Sequence, residues 1–533
     1  MGRMWRVGVG ARAGVGCRVT RRCEKFSGCR ADSRRLAGAA KMGRLLVNPI
    51  QLTALERRIC DVIRDYCAQL GDAGLRPRIA GGWVRDKLLG LESEDLDIVL
   101  NNVTGERFAS GLVEFLKAQG GSARGVHKIQ RNPARSKHLE TCTTTVLGVA
   151  VDFVNLRSET YAEESRVPTV EFGTPLQDAM RRDATLNALF YNILEGVVED
   201  FTGRGLADLA AGVLRTPMPA RQTFLDDPLR VLRLVRFAAR FGFELDNEAR
   251  EGMAYRDIHA ALVRKISRER VGTELHKMLT SADPLYGLRL LCEAGLLPAV
   301  FLSPDGLPRG AEQHVLGMDY QVEALCAHLS ALKERCPGFA AALEDEAFRE
   351  RFLLSTVLAR FRGVHATSTK KQPVEAVVSI VREGLKLGRA TVSAVQMAVR
   401  SIDDYHEMVE NYGSWSRARV GLQLRGLEDH WRQCHYTAMA CQYFLAANED
   451  ARLALIGLYG RFEQHVREEG LEDAHKLRPM IDGNQLVKLL GTKGGPWMSR
   501  AMSMMVEWQL EHPHGTSEQL ADWLQAHRQD FQP

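Results

Sequence analysis

Asp95 and Asp97, in the run Asp95-Leu96-Asp97-Ile98-Val99-Leu100, have the plainest chemical use of any residues in this chain of 533. Residues two apart in a strand point the same way, so both carboxylates share one face, while Leu96 and Val99 are expected to point into the core. Two carboxylates on one face can hold hard cations, and Mg2+ in particular takes a few carboxylate oxygens together with water and phosphate oxygens. A pair of such ions can activate an attacking hydroxyl and stabilise a leaving pyrophosphate. The spacing alone is weak, because alternating acids decorate many surface strands. Upstream, Gly81-Gly82 separates a short strand pattern, Arg78-Ile79-Ala80, from a helical one around Val84 to Leu89. Missing Cβ atoms there allow close approach, and the first N–H groups of a helix can meet an anion such as a triphosphate. Arg85, one turn in, adds a cation at the same end. Asp152, in the apolar run Val151-Asp152-Phe153-Val154, is a third candidate metal carboxylate; the alternative is a strand-end acid paired with Arg157.

These groups need a scaffold, and the hydrophobic pattern supplies one. Leu52, Leu55, Ile59, Val62, Ile63 and Tyr66 recur at helical spacing, with Thr53 or Asn48 placed to cap the start. Strands follow at 78–80 and 95–100, then a helix over about 106–119, a polar stretch from Arg131 to Thr141, and strands near 144–154. Beyond Asp208 strand signals nearly vanish, and helical periodicity broken by Gly and Pro runs to the C-terminus. The fold class expected is α+β: a small mixed-sheet head followed by an all-helical neck, body and tail. The divisions expected are a leader at 1–48, the head at 49–205, a neck at 206–280, a body at 281–480 and a tail at 481–533.

Composition fits a globular chain, with 45% hydrophobic and 26% charged residues. No stretch reaches the roughly 20 apolar residues of a membrane-spanning helix, so a soluble protein is expected. The eleven cysteines form no C-x-x-C pair, which argues for reduced thiols over a disulfide framework or structural zinc. The net charge of +5 is unevenly spread: residues 1–48 hold ten Arg and two Lys against only Glu24 and Asp32, a local +10 that leaves the remainder at −5. An Arg-rich, acid-poor start reads as an organelle-targeting peptide, with Met42 as a second start; an unstructured extension and a basic RNA-binding arm are the alternatives. The expected destination is the mitochondrion (or plastid) from the first Met, and the cytoplasm or nucleus from Met42.

The run Gly81-Gly82-Trp83-Val84-Arg85-Asp86, followed nine residues later by Asp95-Leu96-Asp97, resembles the polymerase β nucleotidyltransferase superfamily. Within it the likeness is to the class II branch of tRNA nucleotidyltransferases (CCA-adding enzymes) and bacterial poly(A) polymerases. Arg181-Arg182-Asp183-Ala184-Thr185-Leu186-Asn187-Ala188-Leu189 resembles that family's second motif, which implies that Arg182 contacts the nucleotide and that Asp183 accepts from a ribose 2′-OH. Asp226-Asp227-Pro228-Leu229-Arg230, continuing to Arg233 and Arg236, is similar to its base-selecting motif, with Asp226 where many bacterial relatives have Glu. The resemblance implies that a carboxylate at Asp227 accepts from the exocyclic amino group shared by C and A, while Arg230 donates to their ring acceptors. U and G present a carbonyl where that amino group should be. Arg233 and Arg236 continue the series at intervals of three, a spacing that a solvated helix face would also produce.

Ser136-Lys137-His138-Leu139-Glu140-Thr141, Val154-Asn155-Leu156-Arg157 and Arg166-Val167-Pro168-Thr169 look like the eukaryotic subgroup, whose flexible loop would lie in the polar stretch before them. Ser267-Arg268-Glu269-Arg270 through Leu275 resembles the family's last motif, a helix bracing the base-selecting one. Gly483-Asn484 and Gly494-Gly495-Pro496-Trp497 resemble its tail. The implied activity is template-independent addition of CCA to tRNA 3′ ends from CTP and ATP, by a monomer that uses Asp95 and Asp97 to hold Mg2+. The helical body would grip tRNA by shape. Poly(A) polymerases and enzymes adding only CC or only A share every head motif, and an inactive RNA-binding module is the alternative of another kind.

Overall fold

The computed structural model describes residues 46–93, 95–120, 124–129, 141–160, 169–302, 312–367 and 373–531. The leader, the polar stretch at 130–140 and the segment 161–168 therefore lie outside the described residues, as do most of the matching motif residues from Ser136 to Glu140 and from Arg166 to Pro168.

Helix α1 (Ala54–Leu70) begins at Thr53, whose hydroxyl accepts from the Glu56 amide while the Glu56 carboxylate accepts from the Thr53 amide. Of the two caps expected, Thr53 is the one used. Ile59, Ile63 and Tyr66 turn toward a seven-stranded sheet of order β3-β4-β5-β2-β1-β8-β9. Its strands are β1 (Arg78–Ala80), β2 (Leu96–Leu100), β3 (Arg124–Ile129), β4 (Thr141–Val146), β5 (Val149–Asn155), β8 (Leu189–Asn192) and β9 (Val197–Asp200). β2 and β5 run parallel, and every other pair in this sheet is antiparallel. A separate hairpin, β6 (Arg157–Thr160) with β7 (Thr169–Phe172), follows β5. Helix α2 (Gly82–Leu88) follows β1, α3 (Gly105–Ala118) follows β2, and α4 (Pro175–Met180) follows the hairpin.

The two faces of the sheet do different work. Leu96, Ile98 and Leu100 enter the main core with Phe108 and Leu112 of α3 and Phe153 of β5. Val99 is buried as well, but on the side of Asp97, in a small cluster with Ala80, Leu156, Ala179, Ala188 and Phe190. The expectation that Leu96 and Val99 share a core is thus corrected: they differ by three positions, and in a strand an odd spacing changes face.

The chain then becomes helical: α5 (Gly205–Ala211), α6 (Ala220–Asp226), α7 (Leu229–Phe241), α8 (Asn247–Met253), α9 (Arg256–Lys265), α10 (Arg268–Leu279) and α11 (Pro284–Glu293). Strands persist here as two small pairs, Val213–Leu214 with Glu244–Leu245 and His365–Thr367 with Pro373–Glu375. Stretches of two or three residues are too short to show a period of two. α7 packs on α10 and α11, and its apolar residues belong to the same core that fills the head and continues through the helices up to Leu510. The last helices, Gly483–Leu490, Trp497–Glu511 and Ser517–Ala526, gather a second core around Leu486, Met505, Leu520 and Phe531.

α10 is pinned to the helices beyond it. Arg268 is buried and donates to the carbonyls of Ala299, Val300 and Gly384, and burial pushes its pKa down to about 10. One turn on, a Cβ at Gly272 would stand 1.8 Å from the Leu385 carbonyl oxygen, so only glycine fits between the two backbones.

Candidate active site

Asp95 immediately precedes β2, the middle strand of the sheet, and Asp97 lies on it; both are exposed. Parallel pairing sets Asp97 opposite Asp152 of β5, and Asp152 in turn faces Thr143 of β4. Adjacent strands run about 4.8 Å apart, so the carboxylates of Asp97 and Asp152 are neighbours on one face. The Thr143 hydroxyl donates to one Asp152 oxygen. Arg157, the partner that a purely structural role for Asp152 called for, pairs instead with Glu159 at 3.2 Å.

The Asp97 pKa is raised, first by partial loss of hydration and then by the negative charge of Asp152, with Asp95 adding to it and Arg182 and Arg157 opposing it. A carboxylate in that position gains from a cation. The donor set is carboxylate oxygen throughout, which suits a hard divalent ion rather than a soft one. These carboxylates do not converge as closely as Glu428, Asp429 and His430, whose ligand atoms lie within 4.8 Å of one another; those three are consecutive residues on a 3-10 turn, the two acids exposed.

Gly81 holds φ +77°, a conformation that side chains other than glycine rarely adopt, and a Cβ there would stand 3.0 Å from Arg182 Nη1. Arg182 therefore lies on the glycine turn. Its guanidinium is held by Asp178, with bonds of 2.8 and 3.1 Å, and by the Asn187 carbonyl at 3.1 Å, and it stacks over Phe190. Close to both the turn and Asp97, it is the cation best placed for an anionic ligand. Gly82 is less constrained, its nearest neighbour being Arg85 at 3.4 Å.

Arg85 is 5% exposed, donates to Asp86 and to the Asn187 side chain, and lies over the rings of Phe237 and Phe241 on α7. Burial lowers its pKa, with Asp86 opposing. Arg85 so ties α2 to α7, while its Nη2 stands 3.4 Å from the place a Cβ at Gly82 would take, beside the glycine turn.

Asp183 is buried, with one oxygen accepting from Arg233 Nε at 2.6 Å and the other from Asn187 Nδ2 at 2.9 Å. Burial would raise its pKa, but Arg233, Asn187 and Arg230 outweigh that and bring it down to about 2. The series on α7 is unevenly disposed. Asp227 accepts from the Leu229 amide and approaches Arg270 at 3.7 Å; Arg230 is buried, donating to the Thr223 carbonyl and approaching Glu159 at 3.9 Å. Arg233 bridges Asp183 and Glu274. Arg236 is locked to Glu274 and covers Phe237, facing α10. Arg236 thus forms an interhelical ion pair, and steps of three drift around a helix of 3.6 residues per turn, which carries it toward α10.

Four acceptors that organise these arginines escaped the sequence reading. Asp178 is fully buried and receives Arg181 and Arg182; burial raises its pKa, but the two arginines lower it on balance. Its i,i+3 and i,i+4 spacing to them was a usable signal. Glu159, its side chain 6% exposed, gathers Arg157, Arg181 and Arg230 from three elements. Asn187 and Glu274 complete the set. The result is a continuous line of charged groups from Asp97 past Arg182 and Arg157, through Glu159, to Arg230.

Two family models match the chain, the first over this line and the second beyond it. Residues 77–215 match the Poly A polymerase head domain, and residues 242–306 match the probable RNA and SrmB- binding site of polymerase A. With the mixed sheet and its carboxylates, the first match defines a nucleotidyltransferase. The mitochondrial CCA tRNA nucleotidyltransferase of Candida glabrata is 41% identical over 514 residues, covering 90% of this chain and 97% of the relative. That of Saccharomyces cerevisiae is 41% identical over 511 residues, covering 90% and 94%. The chain belongs to the CCA tRNA nucleotidyltransferase family. The apo form of a CCA-adding enzyme superposes with a TM-score of 0.61 at 20% identity, covering 89% of this chain and 96% of that one, so the fold extends through the helical body.

Proposed function

We propose that this protein adds C, C and A to the 3′ ends of tRNA from CTP and ATP without a nucleic-acid template, releasing pyrophosphate. The observation that carries the reading is the line of charged groups joining Asp97 to Arg230, which links a cation-holding edge to a base-reading pair. Asp95 and Asp97, with Asp152 beside them, would hold a divalent cation, Mg2+ in our reading, which when bound neutralises the triphosphate and favours ionisation of the attacking 3′-OH. Arg182 and the Gly81-Gly82 turn receive phosphate oxygens. Asp183, oriented by Arg233 and Asn187, keeps lone pairs that can accept from a ribose 2′-OH. Asp227 and Arg230 then read the base edge: C and A offer an amino group to the carboxylate, U and G a carbonyl that meets it with no proton between.

The test is a tRNA lacking its CCA end, incubated with CTP, ATP or both. Extension by three nucleotides with both, and by two with CTP alone, is expected. A long A tract would indicate a poly(A) polymerase, arrest after one kind of nucleotide a partial enzyme, and no extension an RNA-binding module. The leader at 1–48 supports mitochondrial import from the first Met, with a Met42 product outside; a Met42 version that still enters mitochondria would overturn this.

A further inference from the structure

Asn187 closes the short 3-10 turn Thr185–Asn187 ahead of β8 and is 6% exposed. Its polar groups are taken up by three different parts of the site. The side-chain Oδ1 accepts from Arg85 Nη1 of α2, Nδ2 donates to Asp183 Oδ1 at 2.9 Å, and the backbone carbonyl accepts from Arg182 Nη1 at 3.1 Å. Arg85 can only donate and ionised Asp183 can only accept, so the amide has a single workable orientation. Beyond these partners, Arg85 lies on Phe237 and Phe241, and Asp183 holds Arg233, all on α7. One neutral side chain thus joins the helix after the glycine turn, the Arg-Arg-Asp turn and the base-selecting helix. An amide presents an acceptor and a donor side by side at every pH; an ionised carboxylate would face Asp183 with like charge, and a methyl would leave buried partners unmet.

We propose that Asn187 is a positioning residue of the nucleotide site, a neutral bridge that sets Arg182 and Asp183 in fixed relation to α7 so that phosphate, sugar and base are received together. The proposal rests on reading Arg182 and Asp183 as nucleotide contacts. The charged groups facing position 187 are Arg85 from α2 and Arg182 and Asp183 from its own turn, with Arg233 of α7 behind Asp183; on the α5 side Asp208, paired with Arg215, holds the Thr185 hydroxyl.

Two variants test it, with steady-state CTP and ATP kinetics from pH 6 to 8.5 and thermal unfolding alongside. N187A should lower kcat/KM for both nucleotides about 10- to 100-fold, mainly through KM, at every pH. N187D is nearly isosteric and sets a second carboxylate against Asp183; two such groups share one proton, and the protonated form can donate as Nδ2 did. Its activity relative to wild type should therefore be low at pH 8.5 and rise about tenfold or more by pH 6. A ratio flat with pH, or wild-type kinetics in both variants, would overturn the proposal. R182A and D183A tell the two failures apart. If they too behave as wild type, the nucleotide-contact reading falls with it; if they are impaired while N187A and N187D are not, the inference about Asn187 falls alone. Should N187A unfold, the pH ratio of N187D decides.

Discussion

The carboxylate edge of β2 and the arginine face of α7 are both densely charged, yet they are built in opposite ways. Asp95 and Asp97 are exposed, with Asp152 in register beside Asp97, so like charges are gathered and left in want of a cation. On α7, Arg233 and Arg236 meet Asp183 and Glu274 at hydrogen-bond distance, and Arg230 lies against Glu159. The edge stores an electrostatic demand that a ligand meets; the helix has met its demands already and offers a rigid shape. The group that takes a cation can therefore be told apart from the groups that present a fixed shape to the nucleotide by whether its charge is balanced within the protein.

The largest effect that would sharpen this contrast is at the unbalanced end. Asp95→Ala or Asp97→Ala should reduce nucleotide transfer about a thousandfold or more, with an unfolding midpoint equal to or above that of wild type, since repulsion is removed and no core contact is lost. Single-turnover CTP incorporation and a thermal melt check both; an active variant would break the assignment.

At the balanced end the order should reverse. Arg236→Ala leaves Glu274, a buried carboxylate, with Arg233 at 3.7 Å in place of its hydrogen-bonded partner, and should cost about 1–3 kcal/mol in urea unfolding, whereas a double replacement by Met and Leu should recover most of it. An Arg236→Ala protein of normal stability but altered nucleotide choice would return Arg236 to the base-reading group.

The smallest effect concerns selection. Asp227→Ala or Arg230→Ala should raise UTP or GTP incorporation relative to CTP and ATP by roughly 5- to 150-fold, corresponding to about 1–3 kcal/mol for a base-edge pair. Variants that are slower with unchanged preference would show that the pair supports the helix without reading the base.

The sequence made the strands and helices that carry the motifs legible to within a residue or two, because a period of two or 3.6 over several residues is hard to mistake. It made the carboxylate pair and the glycine turn legible for the same reason: their chemistry depends on local spacing. What it concealed was long-range pairing. Nothing local told that Arg85 would lie over Phe237 and Phe241, more than 150 positions away in the chain. Glu159 gave no sign of receiving arginines from the next helix turn and from α7. Strands β3, β6, β7, β8 and β9 were also missed. β8 is buried on every residue, so it shows no alternation of polar and apolar positions.

The contact between Gly272 and the Leu385 carbonyl carries a genetic consequence. Any missense change in that one codon sets at least a Cβ 1.8 Å from that oxygen and wedges α10 away from the segment behind it, at a point remote in chain from the carboxylates of β2 but on the helix that braces α7 through Glu274. Carriers of such an allele would make an enzyme in quantities that fall on warming, one that works in cool-grown cells, so the defect would be found first by raising the temperature.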